Sequence, residues 1–243
     1  HQPRRPSLIR PRAPLEEGLS PVIYFITEFV PKYLPFLLSG ALVTLELTFC
    51  AMILGIAIGV ISAIGAIAGG KVFKFIVRVY VNICRGVPLI VILLFVYFTL
   101  PEVGIRLPAF WAGVVGLSFN LGAYLSEVFR AAILAIDTGQ MQAGLALGMK
   151  RTQIYRKVIL PQAAVIALPT VGGYFISLLK DCALVSFISV EELLRHGNYI
   201  ISATFRSMDT YMLVGLIYYI MSLGAARTIT WLEVKLRPAY LRV

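Results

Sequence analysis

Few residues of this chain are placed to do chemistry, and they are ionisable groups set in apolar surroundings. Glu46 lies in the middle of an apolar run from about Pro35 to Ala68. A carboxyl there is costly and normally faces a partner or a watery cavity, so Glu46 is either a functional group or one protonated or paired for packing alone. Lys180 and Asp181 end a later run. Glu127 and Arg130 are three apart, so on a helix they share a face and pair. The sets that bond-making needs do not appear. The histidines are His1 and His196, and Cys50, Cys84 and Cys182 are scattered in or beside apolar runs without metal-ligand spacing. No Gly-x-Ser-x-Gly elbow or phosphate-cradling glycine loop occurs. The expectation is no catalytic residue, no metal site and no cofactor in this chain; ATP, if used, is hydrolysed by another chain.

Hydrophobic residues make up 59% of the 243 positions, charged residues 14%, and the mean hydropathy is +0.85, which excludes an ordinary soluble domain. Roughly 20 apolar residues cross a bilayer as helix. The chain therefore reads as an all-α membrane protein of about five spans, near 35–68, 72–100, 108–136, 152–179 and 208–232. Residues 1–20 read as a flexible, basic, proline-rich tail, and 21–243 as one transmembrane domain. Pro21 to Tyr33 suits a short helix in the membrane interface. The second span is interrupted at Arg85-Gly86-Val87-Pro88, where proline removes a backbone donor and favours a kink.

The net charge of +10 is carried in short stretches between apolar runs, which points to anionic lipid rather than nucleic acid. Summed over alternate loops, Lys71, Lys74, Arg78, Lys150, Arg151, Arg156, Lys157, Lys235, Arg237 and Arg242 outweigh Lys32, Arg106, Lys180, Arg195 and Arg206. The first set is expected in the cytoplasm. Five spans then put the arginines of the N-terminal tail on the outer side, against the rule.

The loop 137–161 is more polar than a tight turn requires. Gln140 to Met149 is expected to form one short helix with Ala143, Ala146 and Leu147 on one side and Gln142 on another. An ordinary basic connection is the alternative.

This loop resembles the EAA loop of inner-membrane permeases of ATP-binding cassette importers. Ala143, Gly148, Leu160 and Pro161 match in register, with Val158 in the isoleucine position, Gln142 for the motif's glutamate and Gly144 for its second alanine. Arg85-Gly86-Val87-Pro88-Leu89, Gly122-Ala123-Tyr124-Leu125-Ser126-Glu127-Val128-Phe129-Arg130, Gly139-Gln140, Leu160-Pro161-Gln162 and Leu179-Lys180-Asp181 resemble the polar amino acid branch in the same order. The resemblance covers about Pro21 to Arg237.

It implies a type I importer permease in a bacterial inner membrane, translocating polar amino acids and coupled through 142–161 to an ATPase dimer that binds ATP and Mg. It also implies a second permease subunit and an extracytoplasmic amino-acid-binding protein meeting the region Ser189 to Arg206. Gln142, Ala143, Gly144, Gly148, Leu160 and Pro161 become the docking residues. Gly148 is expected where backbones approach, and Leu160-Pro161 to stop or bend the chain. Lys180 and Asp181 fall near the path, either meeting an amino acid's carboxylate and amine or pairing with each other. Glu46, if it lines a cavity, favours a cationic amino acid.

Val87, Ile92, Cys182 and Ala183 stand where the family has polar side chains, so Arg85 to Pro88 reads as a bare kink, Tyr124 as packing, and the chain as a poor ligand site. With Gln142, this favours a related partner over an identical copy. The competing reading is a secondary transporter driven by an ion gradient, which would show internal repeats; none is evident.

Overall fold

In the computed structural model residues 20–236 are described; the tail 1–19 and the last residues, including Arg237 and Arg242, lie outside them. Ten α-helices follow one another: α1 (Pro21–Tyr24), α2 (Val30–Ala68), α3 (Lys71–Gly86), α4 (Leu89–Leu94), α5 (Ala109–Leu134), α6 (Thr138–Ala146), α7 (Arg151–Ile154), α8 (Leu160–Asp181), α9 (Leu193–Thr204) and α10 (Ser207–Leu236). Four helical stretches are long and apolar enough to cross a membrane: Val22–Ala68, Ala109–Leu134, Arg151–Ile188 and Ser207–Leu236. A further pair, α3 with Leu89–Val103, is long and apolar enough only when taken together, and is bent by 110° at its break. The interruption at Pro88 is thus a sharp break, not a gentle kink.

Pro31, Pro101 and Pro161 each follow a turn of π-helix by two residues: Phe25–Phe29, Phe95–Thr99 and Tyr155–Ile159. A proline ring clashes with the carbonyl four residues back and offers that carbonyl no N–H. Widening the preceding turn moves the carbonyl aside, and helix continues through it. This corrects one expectation. Pro161 does not stop the chain, because α7 runs through the widened turn into α8. Pro21 to Tyr33, expected to lead into the first span, runs into α2 and buries Phe29 with Leu193, Leu213 and Ile217.

Helices in lipid gain little from burying apolar surface against one another, so close backbone approach decides which pairs form. Gly55 and Gly59, one turn apart on α2, supply it. A methyl group on Gly55 would lie 2.7 Å from Leu121, and one on Gly59 2.8 Å from Leu125. Both pairings advance together along the chain, so α2 and α5 run parallel. Around this seam lies the main core, with Leu47, Ala51, Leu93, Leu117, Leu125, Cys182 and Val185 fully or almost fully buried. Cys84 and Cys182 are buried and Cys50 half-buried, all as free thiols that pack.

A polar staple closes the other end of the bundle. The carboxylate of Glu192, fully buried, caps α9 by accepting from the N–H groups of Leu194 (2.8 Å) and Arg195 (2.7 Å). It also accepts from the Tyr218 hydroxyl of α10 at 2.7 Å. Thr44 of α2 accepts from the N–H of Leu193 at 3.3 Å. Three elements meet at these groups.

Candidate functional site

The helix break builds the site. In an unbroken helix the carbonyl of Cys84 would accept from residue 88, but Pro88 has no N–H. The Asn120 side chain of α5 donates to that carbonyl instead, at 2.8 Å. The freed segment Arg85 to Leu89 forms one wall of a cavity of about 450 Å3, which α5 closes with Asn120 and Tyr124 and α8 with Tyr174, Ser177 and Asp181. This size suits a small solute, and apolar walls carrying a few placed polar groups are typical of solute sites. The Arg85 guanidinium lies 5.4 Å from the centroid of the Tyr124 ring, and Tyr124 contacts Tyr174 at 5.8 Å between ring centroids. A cation from α3 and a carboxylate from α8 share one lining, which can receive a solute bearing both charges.

Of the three path candidates, only Asp181 lines this cavity. Lys180 is exposed beside the buried Leu178 and Leu179, and no carboxylate lies within salt-bridge distance of it among the described residues, so the alternative of a Lys180–Asp181 ion pair is not realised. Glu46 is not in the cavity. The buried residues of α2 recur as Thr44, Thr48, Ala51 and Gly55, whereas Glu46 shares the opposite, exposed face with Leu42, Phe49 and Ile53. Glu46 therefore brings no charge to this cavity.

Arg85, Asn120, Tyr124, Tyr174 and Ser177 enter the lining although the pattern did not single them out as ligands. The signal was present in Arg85-Gly86-Val87-Pro88. A charge next to a helix-breaking proline at membrane depth marks freed backbone facing a cavity. The expected Glu127–Arg130 pair forms at 2.6 Å.

In the loop, α6 is shorter than expected and ends before Leu147. Its start is capped by Asp137, whose side chain accepts from the N–H of Gly139 at 2.6 Å. Its end is set by Gly148, at φ +75°, the left-handed conformation that closes a helix. Nothing lies within 4 Å of where a methyl group on Gly148 would stand. The expected close approach belongs to Gly144, where a methyl group would meet Ile154 of α7 at 2.7 Å. Gly144 is buried, and Gln142, Ala143, Ala146 and Leu147 are exposed, Leu147 at 81%. The helix thus seats one small residue on the protein and turns its other face away.

Residues 55–237 match the family model described as the binding-protein-dependent transport system inner membrane component. The chain belongs to this family. It is a permease subunit of a bacterial inner-membrane importer, without catalytic activity or a cofactor of its own, working with an ATPase and a binding protein. The probable amino-acid ABC transporter permease protein PatM of Vibrio harveyi is 35% identical over 226 residues, covering 90% of this permease and 99% of the relative. The glutamine transport system permease protein GlnP of Escherichia coli (strain K12) is 35% identical over 206 residues, with 84% and 94% covered.

A crystal structure titled as an amino acid ABC transporter with histidines aligns at a TM-score of 0.79 and 38% identity, covering 85% of this permease and 97% of that chain. An inward-facing form of the MetNI methionine ABC transporter aligns at 0.73 and 23% identity, a likeness of fold.

Proposed function

We propose that this permease moves a polar amino acid inward through the cavity between α3, α5 and α8. The observation that carries this reading is the single lining shared by Arg85 and Asp181, a guanidinium for the carboxylate and a carboxylate for the ammonium group of a zwitterion. The wall is better supplied with polar groups than Val87, Ile92, Cys182 and Ala183 lead one to expect, because Asn120, Tyr124 and Ser177 come from elsewhere. The names of the relatives, amino-acid and glutamine permeases among them, agree.

Docking falls to α6 and the turn after it. Gln142, Ala143 and Leu147 present the exposed face to a cleft on an ATPase dimer that binds ATP and Mg. Gly144 seats the helix on α7, Gly148 ends it, and Leu160 with Pro161 carries α7 into α8 without a break. ATP-driven closure of the ATPases then reaches α8, and with it Asp181, through continuous helix. The basic residues from Lys71 to Arg78 and from Lys150 to Lys157 set this end in the cytoplasm, against anionic lipid. An amino-acid-binding protein meets the opposite end, near Ser189 to Arg206.

Gln142 offers an amide where the family has a charge, and hydrogen bonds to charged groups are about twice as strong. This favours a related second permease that keeps the glutamate, and two copies of this chain with no other permease in the purified complex would refute that pairing. The function itself is tested by co-purification. The complex should hold an ATPase whose rate rises when binding protein and amino acid are added together; a complex without ATPase rules the reading out.

A further inference from the structure

Two further cavities adjoin this one at Arg85. Arg85 also lines a second cavity of about 430 Å3, with Tyr124, Glu127 and Tyr174. It lines a third as well, of about 390 Å3, whose wall is Lys74, Arg78, Asn82, Glu127 and Arg130. The three spaces therefore share Arg85, and the second and third share Glu127. Along α3 the positions 74, 78, 82 and 85 fall on one flank at helical spacing, while Ile76 and Ile83 lie exposed on the opposite, apolar flank. Polar and ionised groups that reach membrane depth on one flank of a helix face water or a path, not hydrocarbon.

Resting on the amino-acid reading above, we propose that the solute leaves for the cytoplasm along this polar flank of α3, past Arg85 and the Glu127–Arg130 pair. The charges are arranged for passage in steps. The ammonium group leaves Asp181 for Glu127, one turn nearer the exit than Tyr124. The carboxylate passes from Arg85 to Arg130 and then to Arg78 and Lys74. Glu127 already holds Arg130 at 2.6 Å, so at this step the solute meets two groups that have each other to return to. The solute is held at this step only in competition with that pair. That is what release requires, since a site must bind strongly enough to be entered and weakly enough to be left.

The test places one cysteine at a time in the complete transporter, in proteoliposomes containing ATP. Cys84 and Cys182 are buried, so only Cys50 is replaced, by alanine, and the same protein without an added cysteine gives the baseline. Asn82→Cys and, on the opposite flank, Ile83→Cys are reacted with benzyl methanethiosulfonate, and the extent of reaction is read by mass. The ring at position 82 should lower amino acid uptake at least about tenfold, and the ring at 83 less than about twofold. A thiol at 82 that fails to react, uptake that survives full reaction there, or equal block from both positions overturns the route. Absence of uptake by the unreacted complexes instead refutes the amino-acid reading on which the route rests.

Discussion

Gly144 and Ile154 are in contact across the basic turn between α6 and α7, so close that a methyl group on Gly144 would stand 2.7 Å from the Ile154 side chain. This contact seats the exposed helix on α7, which runs on into α8. Gly144→Val forces a branched side chain into Ile154 and should cost about 1–3 kcal/mol locally, as overpacking does. In the assembled transporter the variant should still hydrolyse ATP but lose the rise with binding protein and substrate. Pairing it with Ile154→Ala should restore part of that rise, and failure of the pair to recover any would remove the contact from the coupling account.

Gly148 has a different requirement, a positive φ with open space around it. Gly148→Ala should therefore destabilise by about 1 kcal/mol through backbone strain alone. Gly148→Asn should fall between the two, since asparagine tolerates the left-handed region. Thermal unfolding of the purified complex checks the order.

Leu147 is 81% exposed. Leu147→Asp should leave the permease's own stability within about 0.5 kcal/mol while releasing the ATPase during purification. Retention of the ATPase at full occupancy would place docking elsewhere.

Glu192 lies outside the spans, and burial pushes its carboxyl above the usual range, against the pull of the Leu194 N–H, the Tyr218 hydroxyl and the Arg195 N–H. Above the ordinary carboxyl pKa, and up to its raised folded value, the folded chain holds more protons at this site than the unfolded chain. Stability from this group is therefore complete below the ordinary value and falls as pH rises through that window. Melting temperature measured from the ordinary value upward should decline, and Glu192→Gln, which cannot ionise, should lose this part of the slope.

Asp181→Asn keeps the shape of the cavity wall and removes the charge. Loss of a charged hydrogen bond to the solute should weaken uptake at low substrate about 10-fold to 100-fold, with Lys180→Gln nearly silent because Lys180 lies outside the lining.

The all-helical class with four to five apolar stretches, the Glu127–Arg130 pair and the position of the short helix were legible in the sequence, because hydropathy, i to i+3 spacing and a motif in register are local signals. The cavity was not. Its members come from α3, α5 and α8, and what assembles them is a backbone event, the carbonyl of Cys84 left by Pro88 and taken up by Asn120. Proline position alone misled at Pro161, since a π-turn that absorbs a proline leaves no mark in residue types. The face that Glu46 takes was hidden for a related reason. Being ionisable at mid-span says that a group needs a partner, while the face it occupies is fixed by Gly55 and Gly59 packing on the other side of α2.

The most direct test of the permease account is uptake by the reconstituted transporter with each energy source supplied alone. With binding protein and amino acid outside and ATP on the ATPase side, uptake should proceed without any ion gradient and stop when ATP is withheld. Uptake driven by a sodium or proton gradient with no ATPase present would contradict the account.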